Sequence, residues 1–291
     1  MPRTLDEGFR DFLTKLTPTT AESDAAKSHR NSIETRLKLD FGAVKRFVRI
    51  GSFGNGTSIS GYSDVDYLAS LPTDKLSQNS GYSLTKVRDS LDARFPSTGV
   101  RVNCPAVVCP FGTSASETTE IVPADYVGES NGFKIYEIPD CADGWMRASP
   151  DAHNDYVRSI DAKLNGKVKP LIRYLKAWKY YRQVPISSFY LELRIAKYAQ
   201  TESSIDYAID IKSVLQSLMN NSLADMQDPM GGAGYIKACK SDAFKVDALS
   251  KLDTALTRAT KAREATQKGN ISEAFDYWRL LFNNEFPTYY Y

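Results

Sequence analysis

A glycine-rich segment followed by two aspartates constrains this chain more than any other feature of its sequence. The segment reads GSFGNGTSISGYSDVDYLA over residues 51–69. Apolar runs at both ends, RFVRI at residues 46–50 and DVDYLASL from Asp64 onwards, predict two short strands joined by the glycine-rich loop. Because residues i and i+2 of a strand project from the same face, Asp64 and Asp66 are expected to point together.

The aspartate pair predicts a divalent-cation site beside a phosphate-binding loop. Adjacent carboxylates repel each other unless a cation lies between them or one is protonated, and Mg2+ prefers such oxygen ligands. Glycines in the loop, Gly51, Gly54 and Gly56, would let backbone N–H groups approach phosphate oxygens, while Ser52 and Thr57 offer hydroxyl donors. Either feature alone is typical of an ordinary turn or an exposed strand end, so the prediction rests on their combination.

A two-metal site normally includes a third carboxylate from elsewhere in the chain. Glu120 is the first candidate because it lies in the strand-like stretch TTEIVPA, just before an apolar run. Glu117 and Asp125 are the alternatives. For Glu120 taken alone, an exposed strand carboxylate would be the better interpretation, and the aspartate pair reverses that preference.

The remaining pattern predicts an α/β half followed by a helical half. Helical periodicity marks residues 83–95, and GVRVNCPAVVCPF and TTEIVPADYV are interpreted as two further strands of a small mixed sheet. Beyond about residue 150 the pattern becomes helical, with a strong apolar stripe over 168–182. The predicted division is a catalytic core with N-terminal helices over 1–160 and a helical lobe over 161–291 that closes the nucleotide-binding cleft.

Two segments of the helical half carry polar residues suited to phosphate. Lys176 stands next to the buried face of its helix, and Ser187, Ser188 and Phe189 follow at a predicted helix start. Lysines on a helix usually belong to its solvated face, and a serine at a helix start is ordinarily an N-cap. A helix start can also bind phosphate, and an aromatic ring beside it can stack on a base.

Composition excludes several classes of protein. The 291 residues carry a formal net charge of +2, which gives no basic field for long nucleic acid. The four cysteines lack the density of a secreted disulfide scaffold, and no apolar run reaches the roughly 20 residues of a membrane span. A reducing cytoplasm and no membrane association are therefore expected.

These motifs together resemble the cyclic-oligonucleotide synthases, the bacterial relatives of cyclic GMP-AMP synthase and oligoadenylate synthase in the polymerase-beta-like nucleotidyltransferase superfamily. The resemblance covers nearly the whole chain. GSFGNGTSISGYSDVDYLAS is similar to the family's GS loop and DxD strand, EIVPA to the strand of the third acid, and LIRYLKAWK and SSFYLE to the triphosphate-binding segments. The closing YWRLLFNNEFP is similar to the family's terminal pattern. The implied fold is the superfamily's α/β core with a helical C-terminal lobe.

The resemblance implies a metal site formed by Asp64, Asp66 and Glu120, which would hold two Mg2+ ions, with Mn2+ as the alternative. The family's third acid is usually an aspartate immediately before a VVPA-like segment, whereas this chain has a glutamate there. The longer side chain could change the metal geometry or preference.

The resemblance also implies how nucleoside triphosphates would bind. Gly51 and Ser52 would hold the donor triphosphate, Lys176 and Ser188 would grip it from the helical lobe, and Phe189 would stack on a base. Apart from the resemblance, His153 and Asn154 are candidates for choosing the base, although a lone histidine is more often structural.

The expected activity is condensation of nucleoside triphosphates into a cyclic di- or trinucleotide, with antiphage signalling through a separate effector protein. Two alternatives remain. One is nucleotidyl transfer to an RNA end, a protein or a small molecule, and RNA tailing would call for a stronger basic track than the net charge supports. The other is a catalytically silent nucleotide-binding module, against which the intact aspartate pair argues.

Overall fold

The computed structural model describes residues 2–62, 64–231 and 234–290, which form ten α-helices and nine β-strands. The helices are α1 (Leu5–Leu16), α2 (Thr20–Phe41), α3 (Gly51–Asn55), α4 (Ser80–Arg94), α5 (Pro150–Lys163), α6 (Val168–Tyr181), α7 (Ser188–Ala199), α8 (Tyr207–Asn220), α9 (Asp242–Gln267) and α10 (Ile271–Leu281). The strands are β1 (Arg46–Arg49), β2 (Val65–Ser70), β3 (Arg101–Asn103), β4 (Ala106–Phe111), β5 (Glu117–Ser130), β6 (Phe133–Pro139), β7 (Trp145–Ala148), β8 (Met226–Gln227) and β9 (Tyr235–Ile236).

The chain divides into two compact units. The sheet unit comprises the described residues of Pro18–Asp155, with Met230 and Gly231. The helical unit comprises the described residues of three segments, 2–17, 156–229 and 234–290. This division differs from the predicted one in two respects: it falls within α5 rather than after residue 160, and α1 groups with the helical unit.

The sheet unit is built on a mixed seven-stranded sheet, in agreement with the predicted α/β class. Its main strand order is β1-β2-β5-β4-β3, with β6 and β7 extending from the second half of β5. The β2–β5 pair is parallel, and the other pairs of this sheet are antiparallel. The stretch GVRVNCPAVVCPF, interpreted above as one strand, instead forms the β3–β4 hairpin, with Cys104 and Pro105 at its turn. Strands β6 and β7 were not predicted.

The main core of the sheet unit lies on one face of the sheet. Alternate strand residues pack there against α2 and α4, among them Phe47, Tyr67, Ala69, Val107 and Ile121. A smaller cluster centred on Leu68, Ala124 and Tyr136 covers part of the opposite face. Because strand residues alternate between faces, Asp66 and Glu120 project from the face opposite the main core.

The helical unit is held together by aromatic side chains, and this packing explains the placement of α1. The rings of Phe9 and Phe12 contact Tyr174 of α6, with centroids 5.2 and 5.9 Å apart. Phe286 follows α10 and stands against both phenylalanines. Since α1 buries its apolar face here, it belongs with the helices of the second half.

Helix α2 begins directly after Thr19. Thr19 is its N-cap, and Thr19 and Glu22 form a capping box in which each side chain accepts from the other's backbone N–H. Helix α6 likewise begins at Val168 with Pro170 in its first turn, where the missing N–H costs little.

A disulfide joins two turns of the sheet unit. Cys104, at the β3–β4 turn, is bonded to Cys141, between β6 and β7, with their Cα atoms 5.6 Å apart. The spacing of the cysteines in the sequence did not predict this bond. Among the described residues, no helix is both long enough and apolar enough to span a bilayer.

Candidate active site

Two predicted acids lie side by side on adjacent parallel strands. Asp66 of β2 is paired in register with Glu120 of β5, so their Cα atoms are separated by one inter-strand spacing of about 4.8 Å. Asp64 precedes β2 by one residue and is two residues from Asp66. The strand alternation therefore places the three carboxylates on one face of the sheet.

The alternatives for the third acid project from the other face. Glu117 and Asp125 are three and five residues from Glu120 along β5, and an odd separation reverses the face. Glu117 also contacts His29, with 2.7 Å between the carboxylate oxygen and Nε2, and Asp125 accepts a hydrogen bond of 2.7 Å from the Thr73 hydroxyl. The strand geometry therefore favours Glu120 over both.

The predicted glycine-rich loop begins with a short helix. Helix α3 starts at Gly51, directly after β1, and Gly51 has a positive φ of +60°. A Cβ atom on this glycine would lie 2.1 Å from Oδ2 of Asp66. Any larger side chain would therefore have to displace the carboxylate, and the positive φ also favours glycine. The first N–H groups of a helix have no intrahelical partner, so α3 presents backbone donors beside the acids.

The loop that carries Asp64 is tied to the start of α2. Glu22 accepts hydrogen bonds from the backbone N–H of Gly61 at 2.9 Å and from the hydroxyl of Ser60. Burial alone would raise the pKa of Glu22, but the hydrogen bonds from Thr19, Gly61 and Ser60 outweigh it and lower the pKa. Residue 63 lies outside the described residues.

Asp64 and Asp66 differ in their surroundings. Asp64 is exposed as a residue, yet its carboxyl lies close enough to other atoms for desolvation to raise its pKa, against the opposing charge of Arg101. Asp66 is half-buried, with its carboxylate against Gly51. A like-charged neighbour without a cation disfavours ionisation, so this pair is suited to a divalent ion.

The chemistry of the acids fits a divalent-cation site. Asp66 and Glu120 on adjacent strands, with Asp64 just before β2, supply the oxygen ligands that Mg2+ and Mn2+ prefer. Among the described residues, however, no group of three or more His, Cys, Asp or Glu side chains is already gathered at metal-ligand distances. The common face of Asp66 and Glu120 is therefore set by the backbone register of β2 and β5.

Lys176 of the helical unit lies in a buried ion pair. Its side chain is 1% exposed and its ammonium contacts the carboxylate of Glu192 on α7. The sequence predicted that this lysine stands beside the buried face of α6, and the structure places it fully inside. Removing one partner of such a pair typically costs about 3–5 kcal/mol, since the other charge remains buried.

Lys179, one turn further along α6, is the lysine that contacts Ser188. Its Nζ donates to the Ser188 hydroxyl at 2.5 Å, and the hydroxyl of Tyr180 lies 3.3 Å from the same oxygen. Ser188 is the first residue of α7, while Ser187 is the N-cap and accepts from the Tyr190 N–H. Burial, together with the charge of Lys176, lowers the pKa of Lys179 to about 8.

Lys179 was missed by the sequence reasoning, although a signal was present. It lies three residues after Lys176, and positions i and i+3 share a helix face. The segment LKAWK therefore offers two lysines to the same side of α6, and their contacts with Glu192 and Ser188 on the next helix separate their roles.

The other predicted substrate residues are also placed by the structure. Phe189, the second residue of α7, has 41% of its surface exposed. In the sheet unit, His153 is buried, and the amide nitrogen of Asn154 would lie 3.6 Å from a Cβ atom on Gly54 of α3. Asn154 therefore lies near the glycine-rich segment.

Comparison with protein families gives one match over half of the chain. Residues 3–160 match the model of the Second Messenger Oligonucleotide or Dinucleotide Synthetase domain. The matched region contains all three acids and the glycine-rich segment.

Two curated proteins are similar over most of the chain. A cyclic AMP-AMP-AMP synthase from an Acinetobacter strain is 24% identical, covering 98% of this chain and 86% of that protein. A probable cyclic nucleotide synthase from Bacillus cereus is also 24% identical, covering 81% of this chain and 75% of that protein.

Solved structures share the fold across both units. CdnC from Escherichia coli MS115-1, solved with ATP, is 18% identical with a TM-score of 0.75, covering 97% of this chain and 98% of that one. The Vibrio cholerae cyclic AMP-GMP synthase DncV, solved with a linear intermediate, is 14% identical with a TM-score of 0.76, covering 94% and 93%. At these identities the likeness concerns the fold.

Proposed function

Because this chain belongs to the Second Messenger Oligonucleotide or Dinucleotide Synthetase family, it is a nucleotidyltransferase that makes a cyclic oligonucleotide, and we propose that Asp64, Asp66 and Glu120 are its catalytic acids. The observation that carries this proposal is the in-register pair of Asp66 and Glu120 on adjacent parallel strands. Asp64 joins them through the two-residue strand period. The substrates are nucleoside triphosphates, and the product is a cyclic di- or trinucleotide.

The three acids would hold two divalent cations, Mg2+ or Mn2+. When bound, such ions stabilise negative charge on the reacting phosphate and on the departing pyrophosphate. The contribution of the protein is to keep the carboxylates on one rigid sheet face. Gly51 supports this by leaving room for the Asp66 carboxylate.

The start of α3 is suited to the donor triphosphate. Gly51 and Ser52 occupy the first two positions of α3, so their backbone N–H groups and the Ser52 hydroxyl can donate to phosphate oxygens. Held in this way, the donor presents its α-phosphorus to a sugar hydroxyl of the acceptor nucleotide. The new O–P bond forms as the bond to pyrophosphate breaks, and positioning accounts for most of the catalysis.

In the helical unit, Lys179 and Ser188 form a second phosphate-binding pair. The ammonium and the hydroxyl are already in contact at 2.5 Å, and both can turn their hydrogens towards phosphate oxygens. Lys176 contributes its positive charge from inside the unit, where Glu192 compensates it. Phe189, exposed on the same helix start, would stack on a nucleobase.

The product would act as a second messenger, as the family's description indicates. We propose that it is read by a separate effector protein in bacterial antiphage signalling and that the enzyme works in the cytoplasm. CdnC has been solved in complex with HORMA-deltaN, which makes a protein partner of this chain a question to test by co-purification.

The decisive test is product analysis. The purified protein is incubated with all four nucleoside triphosphates and Mg2+ or Mn2+, treated with phosphatase and examined by mass spectrometry. We expect a phosphatase-resistant cyclic product that the Asp64→Asn/Asp66→Asn variant does not make. Products that are only linear, or an equal yield from the variant, would contradict the proposed chemistry.

A further inference from the structure

An exposed arginine lies in the same row of the sheet as the acids. Arg101 of β3 is paired with Val108 of β4, Val108 with Glu120 of β5, and Glu120 with Asp66 of β2. Residues directly opposite each other on neighbouring strands share a face, so Arg101 projects from the acid face of the sheet. It stands two strands, or about 10 Å, from Glu120.

The guanidinium of Arg101 has no structural task that the structure shows. The residue is exposed, on an edge strand, and makes no hydrogen bond or ion pair with any part of the chain that is described. A cation facing the reaction site without a protein partner is available to a substrate.

Arg101 and α3 lie on opposite sides of the acids. Helix α3 follows β1 at one edge of the main strand order, and its Gly51 touches Asp66. Arg101 belongs to β3 at the other edge. Two features suited to phosphate thus flank the acid row, and the reaction brings two triphosphate-bearing nucleotides to it.

We propose that Arg101 binds the 5′-triphosphate of the acceptor nucleotide, the one whose sugar hydroxyl attacks. This inference rests on the proposed function, in which α3 holds the donor. An acceptor triphosphate keeps all its phosphates during the first condensation, so it needs its own binding group. Arginine suits this role because its guanidinium stays charged and can make two parallel hydrogen bonds to phosphate oxygens.

A comparison of an acceptor that carries phosphates with one that carries none tests whether Arg101 binds the acceptor triphosphate. The donor is a 2′,3′-dideoxynucleoside triphosphate, which can donate but cannot accept, and the acceptor is either a nucleoside triphosphate or the corresponding nucleoside. The bases are those that the wild-type product contains. For Arg101→Ala, we expect the KM for the triphosphate acceptor to rise about 10-fold, while kcat/KM for the nucleoside acceptor stays within about 2-fold. For Arg101→Lys, the KM for the triphosphate acceptor should lie between the values of the wild-type protein and of Arg101→Ala.

The matched control is Arg147→Ala. Arg147 is also an exposed arginine on an edge strand of the sheet unit, on β7. Its loss should change the kinetics with neither acceptor. Equal losses with both acceptors in Arg101→Ala would assign the residue to support of Asp64 rather than to the acceptor. Unchanged kinetics with both acceptors would overturn the inference as well.

A binding measurement keeps the two proposals distinguishable. If the wild-type protein makes no product, the proposed function fails, and calorimetry with an α,β-methylene nucleotide analogue still tests Arg101. We expect two binding steps in the wild-type protein, only one of them weakened about 10-fold in Arg101→Ala. Identical titrations of the two proteins would refute the role of Arg101 independently of catalysis.

Discussion

The two units position their polar groups by different means. In the sheet unit, backbone register places Asp66 beside Glu120, and the carboxylates need no contact with each other to be aligned. In the helical unit, side-chain contacts place the groups, since Glu192 holds Lys176 and Ser188 holds Lys179. Substitutions at the acids should therefore change chemistry with the fold intact, whereas those in the lysine cluster should change stability or pH response.

The largest effect is expected for Asp66→Asn. It should reduce synthesis at least about 1,000-fold, since a charge needed at the reaction centre is lost. The midpoint of thermal unfolding should stay the same or rise, because removing one carboxylate relieves repulsion with its neighbours. Product formation and calorimetric unfolding measure the two effects. The control is Asp125→Asn, which changes a strand carboxylate on the other face. An equal loss of synthesis in this variant would contradict the proposed dependence of catalysis on strand register.

For Glu192→Gln in the helical unit, we expect a loss of stability rather than a loss of chemistry. It removes the carboxylate that faces the buried Lys176 ammonium and should lower the free energy of unfolding by about 3–5 kcal/mol. Urea unfolding measures this change. The control is Glu264→Gln, an exposed glutamate of α9, which should stay within about 0.5 kcal/mol. A stable but inactive Glu192→Gln would place the pair in the chemistry and undo the contrast between the units.

Gly51→Ala tests whether close backbone approach positions Asp66. The added methyl would meet the carboxylate, so the acid must move, and a displacement of about 1 Å can cost 100-fold in rate. Gly42→Ala is the matched control because Gly42 also has a positive φ, of +75°, but has no atom within 4 Å of its Cβ position. Both variants should lose about 1–2 kcal/mol of stability from backbone strain, and only Gly51→Ala should lose activity. Equal activity in the two would show that Asp66 has room to adjust.

Much of the sheet unit could be predicted from the sequence because its signals are local. The two-residue strand period relates Asp64 to Asp66, and the same period excludes Glu117 and Asp125 once Glu120 is chosen. Pairing between strands is not local. The register of Arg101 with the acids depends on a hairpin turn and on the path of β4, which hydrophobic alternation does not reveal.

In the helical unit, periodicity predicted a helical half and the helix over 168–182, but not the partners of the lysines. Residues 176 and 179 share a face of α6, so spacing alone leaves them equivalent. Their difference arises from α7, where Glu192 lies 16 residues from Lys176 and Ser188 lies 9 residues from Lys179. The placement of α1 escaped prediction for a similar reason, since its aromatic partners Tyr174 and Phe286 are remote in sequence.

The smallest expected effect is a pH dependence of nucleotide affinity. It tests the contrast between the two units most directly, because it concerns a single proton on Lys179. With a pKa of about 8, this lysine is about nine-tenths protonated at pH 7 and about one-tenth at pH 9. Only the protonated form attracts phosphate, so the affinity for an α,β-methylene nucleotide analogue should fall up to about 10-fold over this interval. Lys179→Arg should remove most of this dependence, because arginine stays charged. Calorimetric titration at both pH values compares the two proteins. An equally steep fall in the arginine variant would assign the pH response to another group and leave Lys179 as a partner of Ser188 alone.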